Sequence, residues 1–287
     1  MKKMATNKKG TKDYWPMTEG VFNCLIDKDR TDVFRKAIAN TVKKGDIVVD
    51  MGTGSGILAM FAADAGAKKV YAIENDENNF ITLNETFKVN NYKNKIILIK
   101  GDVREIELPE KVDVIIGEMI ASSLIEEQQI PAMNNILKFA KKNIKILLNK
   151  YEIYLDLVYN EEKYYDKNFP IIRYEYSDIE STQSNIFSNK IKLLEVDFNK
   201  VNRKNLIQKK VILKIKKNGV INGIRMSNKT IFFDGSVFEH SFAYSFPIIL
   251  PIKSKSVKID EKYSVNISYI LCGGLGNLKY SLTKIKK

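Results

Sequence analysis

The sequence predicts an α/β fold: a doubly wound, mainly parallel sheet followed by a β-rich barrel or sandwich. Three observations predict it. Ile47-Val48-Val49-Asp50 runs into Gly52-Thr53-Gly54-Ser55-Gly56 and then into Ile57–Ala63, which is a β-branched run, a glycine turn and a helix-forming run. Strand-like runs at Val70–Glu74, Ile96–Ile99, Val112–Ile116 and Ile144–Leu148 alternate with helical runs at Asn79–Val89 and Ile130–Ala140. Such alternation is the pattern of βαβ units. Beyond about Asn149 the texture changes to short β-branched or alternating runs separated by Asn218-Gly219, Asp234-Gly235 and Gly273-Gly274. These read as antiparallel strands and their turns.

In chain order, residues 1–13 read as a disordered tail, basic and without the apolar stretch of a signal peptide. Residues 14–149 form the expected α/β domain and 150–287 the β-rich one. After Tyr14-Trp15-Pro16 an amphipathic helix is expected over Val21–Ile38, with Phe22, Leu25, Val33, Phe34, Ala37 and Ile38 at helical spacing. Gly45-Asp46 turns the chain into the first strand. In the second half strands are expected at Glu152–Val158, Ile191–Phe198, Val211–Ile215, Gly219–Met226, Thr230–Phe233, Ser245–Ile252, Tyr263–Leu271 and Leu278–Ile285.

At 287 residues, 44% hydrophobic and 28% charged, the chain can bury a proper core. Cys24 and Cys272 make no disulfide framework, which points to a reducing compartment, the cytoplasm by default. The single histidine, His240, cannot build a multi-histidine metal site, and no metal is expected. No run reaches the length of a membrane span. Of the +13 net charge, residues 1–150 contribute +4, with 24 Lys/Arg against 20 Asp/Glu. Residues 151–287 contribute +9, with 23 against 14. The excess is compatible with a nucleic-acid or acidic partner, but its scatter along a Lys-, Asn- and Ile-rich chain fits a solvated lysine surface better.

The glycine turn locates a ligand site, because ligands of this fold sit at the carboxyl ends of the strands. Glu74 ends the second strand twenty-two residues past Gly52, where an acid accepts hydrogen bonds from ribose hydroxyls. A dinucleotide fingerprint would place its third glycine at position 57, which is Ile57. The order G-x-G-x-G with Asp50 just before it resembles motif I of class I S-adenosylmethionine methyltransferases, which implies a Rossmann-like fold with that cofactor. A second constellation follows Val112–Ile116. Glu118 falls at a strand's carboxyl end and Glu127 nine residues on. Two carboxylates converging on one pocket repel unless a cation lies between them, and a planar guanidinium fits that role. Spacing alone equally allows Glu126 and Glu127 on a solvated helix face and Glu118 as a lone strand-end acid.

Val48 to Glu127 resembles the core of the protein arginine methyltransferase family. Gly101–Asp113 leads into Glu118 as in that family, and Leu25-Ile26-Asp27-Lys28-Asp29-Arg30-Thr31 is similar to its L-x-D-x-x-R-T. Glu195-Val196-Asp197-Phe198 and Gly219-Val220-Ile221-Asn222-Gly223 resemble its β-barrel. The resemblance implies an S-adenosylmethionine-dependent N-methyltransferase. In it, Glu118 and Glu127 form the double-E loop that holds a guanidinium. Arg30 binds the cofactor carboxylate, Gly52, Gly54 and Gly56 admit the methionine and ribose portions, Glu74 holds the ribose, and Asp102 or Val103 the adenine. The implied partner is a protein, peptide or small guanidino or amine substrate, with no membrane. The chain also departs from the family. Its Thr-His-Trp loop is replaced by His240-Ser241-Phe242-Ala243-Tyr244-Ser245-Phe246-Pro247, where His240 is a stand-in at a different offset. Met119 and Ser122 replace two aromatics, Arg104 replaces an acid, and the dimerisation arm shrinks to Asp178–Asn189. The oligomeric state is therefore left open. An alternative is a methyltransferase of the same fold acting on a small metabolite, a peptide natural product or RNA. A further alternative is a catalytically silent ligand-binding module.

Overall fold

The computed structural model describes residues 18–286. The tail expected over residues 1–13 and the Tyr14-Trp15 element lie outside the described residues. Two helices come first, α1 (Thr18–Ile26) and α2 (Lys28–Thr41). The single helix expected over 21–38 is broken at Asp27, whose extended backbone caps α2 and whose carboxylate accepts from the Arg30 N–H at 3.1 Å. First-turn amides have no partner within a helix, so a capping carboxylate rewards a restart there.

The α/β half then runs β1 (Ile47–Met51), α3 (Ile57–Asp64), β2 (Lys69–Glu74), α4 (Glu77–Val89), β3 (Ile96–Lys100), β4 (Val112–Ile116), α5 (Gln129–Ile136) and β5 (Ala140–Ile146). The five strands are parallel in the order β3-β2-β1-β4-β5. Val48 to Met51 are buried without alternation, as a strand covered on both faces requires. Chain direction across the sheet reverses between β1 and β4, which opens a crevice at their carboxyl ends. Helix α5 stops at Ile136, short of the expected Ala140, because Leu137–Phe139 tightens into a 3₁₀ turn before β5.

The β-rich half contains β6 (Leu148–Tyr159), β7 (Ile191–Asp197), β8 (Leu206–Lys214), β9 (Gly219–Phe232), β10 (Ile248–Val257), β11 (Lys262–Ile270) and β12 (Lys279–Lys284). The expected strand Ile144–Leu148 is divided: β5 ends in the parallel sheet and β6 begins the antiparallel one. The two strands expected at Gly219–Met226 and Thr230–Phe233 are one. Ser227, Asn228 and Lys229 stay paired with Tyr154, Ile153 and Glu152 of β6. Asn228 is affordable inside that strand because its side chain accepts from Ser123 Oγ–H at 2.8 Å and donates to Ser245 O at 3.2 Å. β6, β9 and β10 are the middle of a seven-stranded antiparallel sheet, and β8, β11 and β12 form a three-stranded one. Asn185–Ile186, within the shrunken arm, pairs with Tyr159 and Val158 of β6 and so belongs to this sheet's edge.

One apolar core spans both halves. Phe34 of α2 meets Phe232 of β9 edge-on at 5.2 Å and Tyr244 at 5.7 Å, so the first helices pack on the β-rich half. Among the described residues no helix is long and apolar enough to cross a membrane.

Gly117, just after β4, has φ +118°, and a Cβ there would lie 2.5 Å from Met51 O and 2.6 Å from Met51 N. Because both obstacles are backbone, Gly117→Ala is expected to cost about 3 kcal/mol in urea denaturation, from strain and overpacking together.

Candidate active site

Three adjacent strands deliver their carboxyl ends to one crevice: β1 ends in the glycine turn, β2 in Glu74, and β4 in Gly117-Glu118. Gly52, Gly54 and Gly56 adopt φ of 61°, 55° and 81°. At Gly52 an added Cβ would sit 3.1 Å from the Met119 side chain, and at Gly56 2.6 Å from Phe87 Cε1. Left-handed backbone and close approach together make glycine necessary at these two positions. Glu74 is held by two backbone donors, Gly54 N–H to Oε2 at 3.0 Å and Asp76 N–H to Oε1 at 2.8 Å. Burial nonetheless raises its pKa. Asp50 is wholly buried; it accepts from Thr53 Oγ–H at 2.6 Å through Oδ2, while Oδ1 has no hydrogen-bond partner. Burial, opposed by that hydrogen bond, pushes its pKa up to about 7.

Arg30 comes from the first turn of α2 and is 4% exposed. Its Nη2 donates to Glu118 Oε2 at 2.7 Å and its Nη1 to Cys24 O at 3.3 Å, with the guanidinium 4.9 Å from the Phe34 ring centroid. Glu118 Oε1 accepts from the Ile120 N–H at 2.7 Å. Glu127 lies in the same electrostatic neighbourhood; burial, then Glu118 and Glu126, push its pKa up to about 8 against the opposing pull of Arg30. The structure therefore brings Arg30, Glu118 and Glu127 together, with Asp50 and Glu74 beside them along the strand ends.

The segment carrying the glutamates is tightly held. Ser123 and Leu124 have φ of 56° and 53°, an uncommon region for such residues. The β-rich half fixes them there. Cys272 N–H donates to Leu124 O at 2.7 Å, Gly274 N–H to Ile125 O at 2.8 Å, and Tyr269 Oη–H to Ser123 O at 3.3 Å. Strain of this kind persists where the surroundings over-determine it.

The Asp102 carboxylate accepts within the chain from Arg104, whose Nη2 reaches Oδ2 at 2.5 Å and whose Nε reaches it at 2.9 Å. Val103 is buried beside it, its carbonyl accepting from Asn135 Nδ2 at 3.0 Å. His240 does not join the glutamates: burial and then Arg225 lower its pKa, and its other charged neighbours are Glu175, Glu239 and Lys190. The adjoining residues reach the site instead. Ser241 Oγ–H and Ala243 N–H donate to Asp27 Oδ2 at 2.6 and 2.7 Å. Tyr244 lies close enough to Glu118 and Arg30 for their charges to act on it. Sequence reasoning gave no role to Asp27, Cys24, Ser241 or Tyr244. Only Asp27 carried a signal, as an N-cap residue three positions before Arg30.

A family model described as ribosomal protein L11 methyltransferase (PrmA) matches residues 29–145. An uncharacterized protein of Methanocaldococcus jannaschii, MJ1452, is 34% identical over 265 residues, covering 91% of this chain and 95% of that one. A probable protein arginine N-methyltransferase 6.1 of Oryza sativa subsp. indica is 36% identical over 149 residues, 50% of this chain. The chain belongs to one family with MJ1452. It spans 39% of the rice relative and 28% of a Drosophila persimilis histone-arginine methyltransferase, CARMER, that is 38% identical over 149 residues. The fold agrees with solved protein arginine methyltransferase structures. A chain of the Trypanosoma brucei PRMT1 enzyme–prozyme heterotetramer with AdoHcy superposes with a TM-score of 0.73 at 20% identity, covering 92% of this chain and 96% of that one. The corresponding TM-score for Arabidopsis thaliana protein arginine methyltransferase 10 is 0.71 at 17% identity, covering 92% and 97%. The family model and the rice and Drosophila relatives are all described as methyltransferases.

The residues present fit S-adenosylmethionine. The buried Arg30 Nε and Asp50 Oδ1 have no hydrogen-bond partner. They offer a donor and an acceptor to a ligand that carries both an amine and a carboxylate.

Glu127 also marks a stability dependence. A carboxyl whose folded pKa is raised from 4.5 to about 8 favours the fold while protonated, and that contribution is lost as pH rises between those values. Glu127→Gln is therefore expected to raise the melting temperature of the ligand-free protein by about 3 °C or more at pH 8.5 while leaving it nearly unchanged at pH 4.5. Thermal scans at the two pH values check this.

Proposed function

We propose that the chain transfers a methyl group from S-adenosylmethionine to a guanidino nitrogen held by Glu118 and Glu127. The observation that carries this reading is the Arg30–Glu118 contact at 2.7 Å in a crevice that also holds Glu127. A guanidinium already sits on one of the two carboxylates, so the acid pair has the shape and charge for such a group. Arg30 would also meet the cofactor carboxylate, Glu74 the ribose hydroxyls, the Gly52–Gly56 turn the methionine and ribose portions, and Asp102 or Val103 the adenine. Residues 14–149 would form the cofactor half and 150–287 the substrate half. Two free cysteines keep the cytoplasm as the compartment we infer.

When bound, the cofactor supplies a methyl group on a sulfonium that is already a good leaving group. The chain's residues align the acceptor, and orientation of this kind lowers a barrier by roughly 7–11 kcal/mol. Glu118, fixed by Arg30 and the Ile120 N–H, anchors the guanidinium. Glu127, with its pKa at about 8, holds the attacking nitrogen and accepts the proton that leaves it.

Glu127→Gln is the informative variant because it leaves the Arg30–Glu118 pair intact. It is expected to lower kcat/KM about 100-fold or more with cofactor affinity unchanged, as loss of one electrostatic stabiliser does. The assay offers radiolabelled S-adenosylmethionine with an arginine-rich peptide pool, total RNA and a small-molecule extract. Methylarginine recovered after peptide hydrolysis, or label on a guanidino compound of the extract, supports the reading; label confined to RNA or to extract compounds without a guanidino group sinks it. In the wild type, kcat/KM should rise with pH toward an inflection near about 8, reporting Glu127 ionisation in the free enzyme. A flat profile from pH 6 to 9 would remove Glu127 from this role.

A further inference from the structure

The 36 residues between Asp197 and Asp234 contain eight lysines, two arginines and no acid. Most of that charge enters or flanks β8, which the fold builds into the three-stranded sheet β8-β11-β12. Across this sheet Gln208 pairs with Ser268 and then Lys279, and Lys210 with Asn266 and then Ser281. These residues line one shallow concavity over the middle of the sheet. Lys210 and Lys279 are exposed on this face, whereas Lys209, one residue out of step, falls on the opposite one. Acids do approach the sheet's end, where Lys214 meets Asp260 at 2.7 Å and Lys284 meets Glu261 at 2.5 Å. Among the described residues, none pairs with Lys210 or Lys279.

We infer that this sheet face docks the backbone of double-stranded RNA. Two unpaired ammonium groups, of Lys210 and Lys279, attract phosphates, and the amides and hydroxyls of Gln208, Asn266, Ser268 and Ser281 suit ribose 2′-hydroxyls. The two rows carry no aromatic side chain, and Tyr280 turns its hydroxyl to Pro251 O at 3.0 Å. Single-strand binding depends on aromatic stacking, whereas an A-form duplex is recognised through phosphate and 2′-hydroxyl contacts. The face therefore matches duplex RNA rather than a single strand. Its position is also informative. β11 leads directly to Cys272 and Gly274, which hydrogen-bond Leu124 and Ile125 of the glutamate loop. Four residues of strand separate Ser268 from Cys272, about 13 Å. A duplex on the sheet would lie beside the crevice without entering it. The inference stands independently of the acceptor proposed above.

The test is fluorescence anisotropy of the full chain with a labelled RNA duplex, the matching DNA duplex, single-stranded RNA and polyglutamate, from 50 to 200 mM salt. The RNA duplex should bind at least 10-fold tighter than the other three. The double variant Lys210→Gln/Lys279→Gln should lose about 10-fold or more. Its slope of log K against log salt should shrink by about 2, since each phosphate contact contributes roughly 0.9. A charge-matched control, Lys68→Gln/Lys93→Gln, should keep wild-type affinity. Calorimetric cofactor binding by both double variants verifies their folding. Equal binding of the DNA duplex or polyglutamate overturns the inference, as does equal loss in the control or an unchanged slope in the sheet variant.

Discussion

The buried ion pair between Arg30 and Glu118 organises the candidate site. Desolvating two charges is costly, and the pair is tolerable only if its remaining lone pairs and protons find partners. Most do: Glu118 Oε1 takes the Ile120 N–H, and Arg30 Nη1 reaches Cys24 O. Arg30 Nε does not. Such a pair adds little net stability, yet removing either partner strands a buried charge. Its value lies in position. Arg30 belongs to a helix that packs on the β-rich half, whereas Glu118 ends a strand of the parallel sheet. The contact therefore sets how the entering helices meet the crevice.

Asp27 is the complementary joint. One carboxylate caps α2, receives Ser241 Oγ–H and Ala243 N–H, and thereby ties the start of the chain to a loop more than 200 residues later. The glutamate loop has its own anchors in Leu271–Gly274 and Asn228. Chemistry attributed to the parallel sheet thus depends on antiparallel strands for its geometry. This accounts for a strained Ser123-Leu124 turn that the loop could not hold alone.

Much of this was legible in the sequence. The β1-turn-α3 unit, Glu74 and the Val112–Ile116 strand are local patterns whose physics is complete within a few residues. What escaped depends on distant partners. The helix break needed Asp27 to be weighed as a cap against a continuous apolar stripe. The fusion of two expected strands into β9 rests on Asn228 finding Ser123 and Ser245, which no window around Asn228 shows. The pairing of Asp102 with Arg104 also went unread, because Arg104 was weighed as a replacement rather than as a donor two residues away. His240 misled for the reverse reason. Histidine is the conspicuous residue of its loop, but Ser241 and a backbone amide make the contact.

Net charge misleads in a similar way. A +13 chain looks ill suited to a cationic acceptor. Yet at physiological salt, potentials in solvent decay within about 8 Å, so exposed lysines on the three-stranded sheet contribute little inside the crevice. There burial, reinforced by Glu118 and Glu126, raises the pKa of Glu127 to about 8. Under the proposed function an incoming guanidinium would offset that cost as it binds, which would convert the burial and crowding of carboxylates into selectivity for a delocalised cation. A neutral ligand could not collect that energy, so the acids would discriminate by charge before any contact with the rest of the substrate is made.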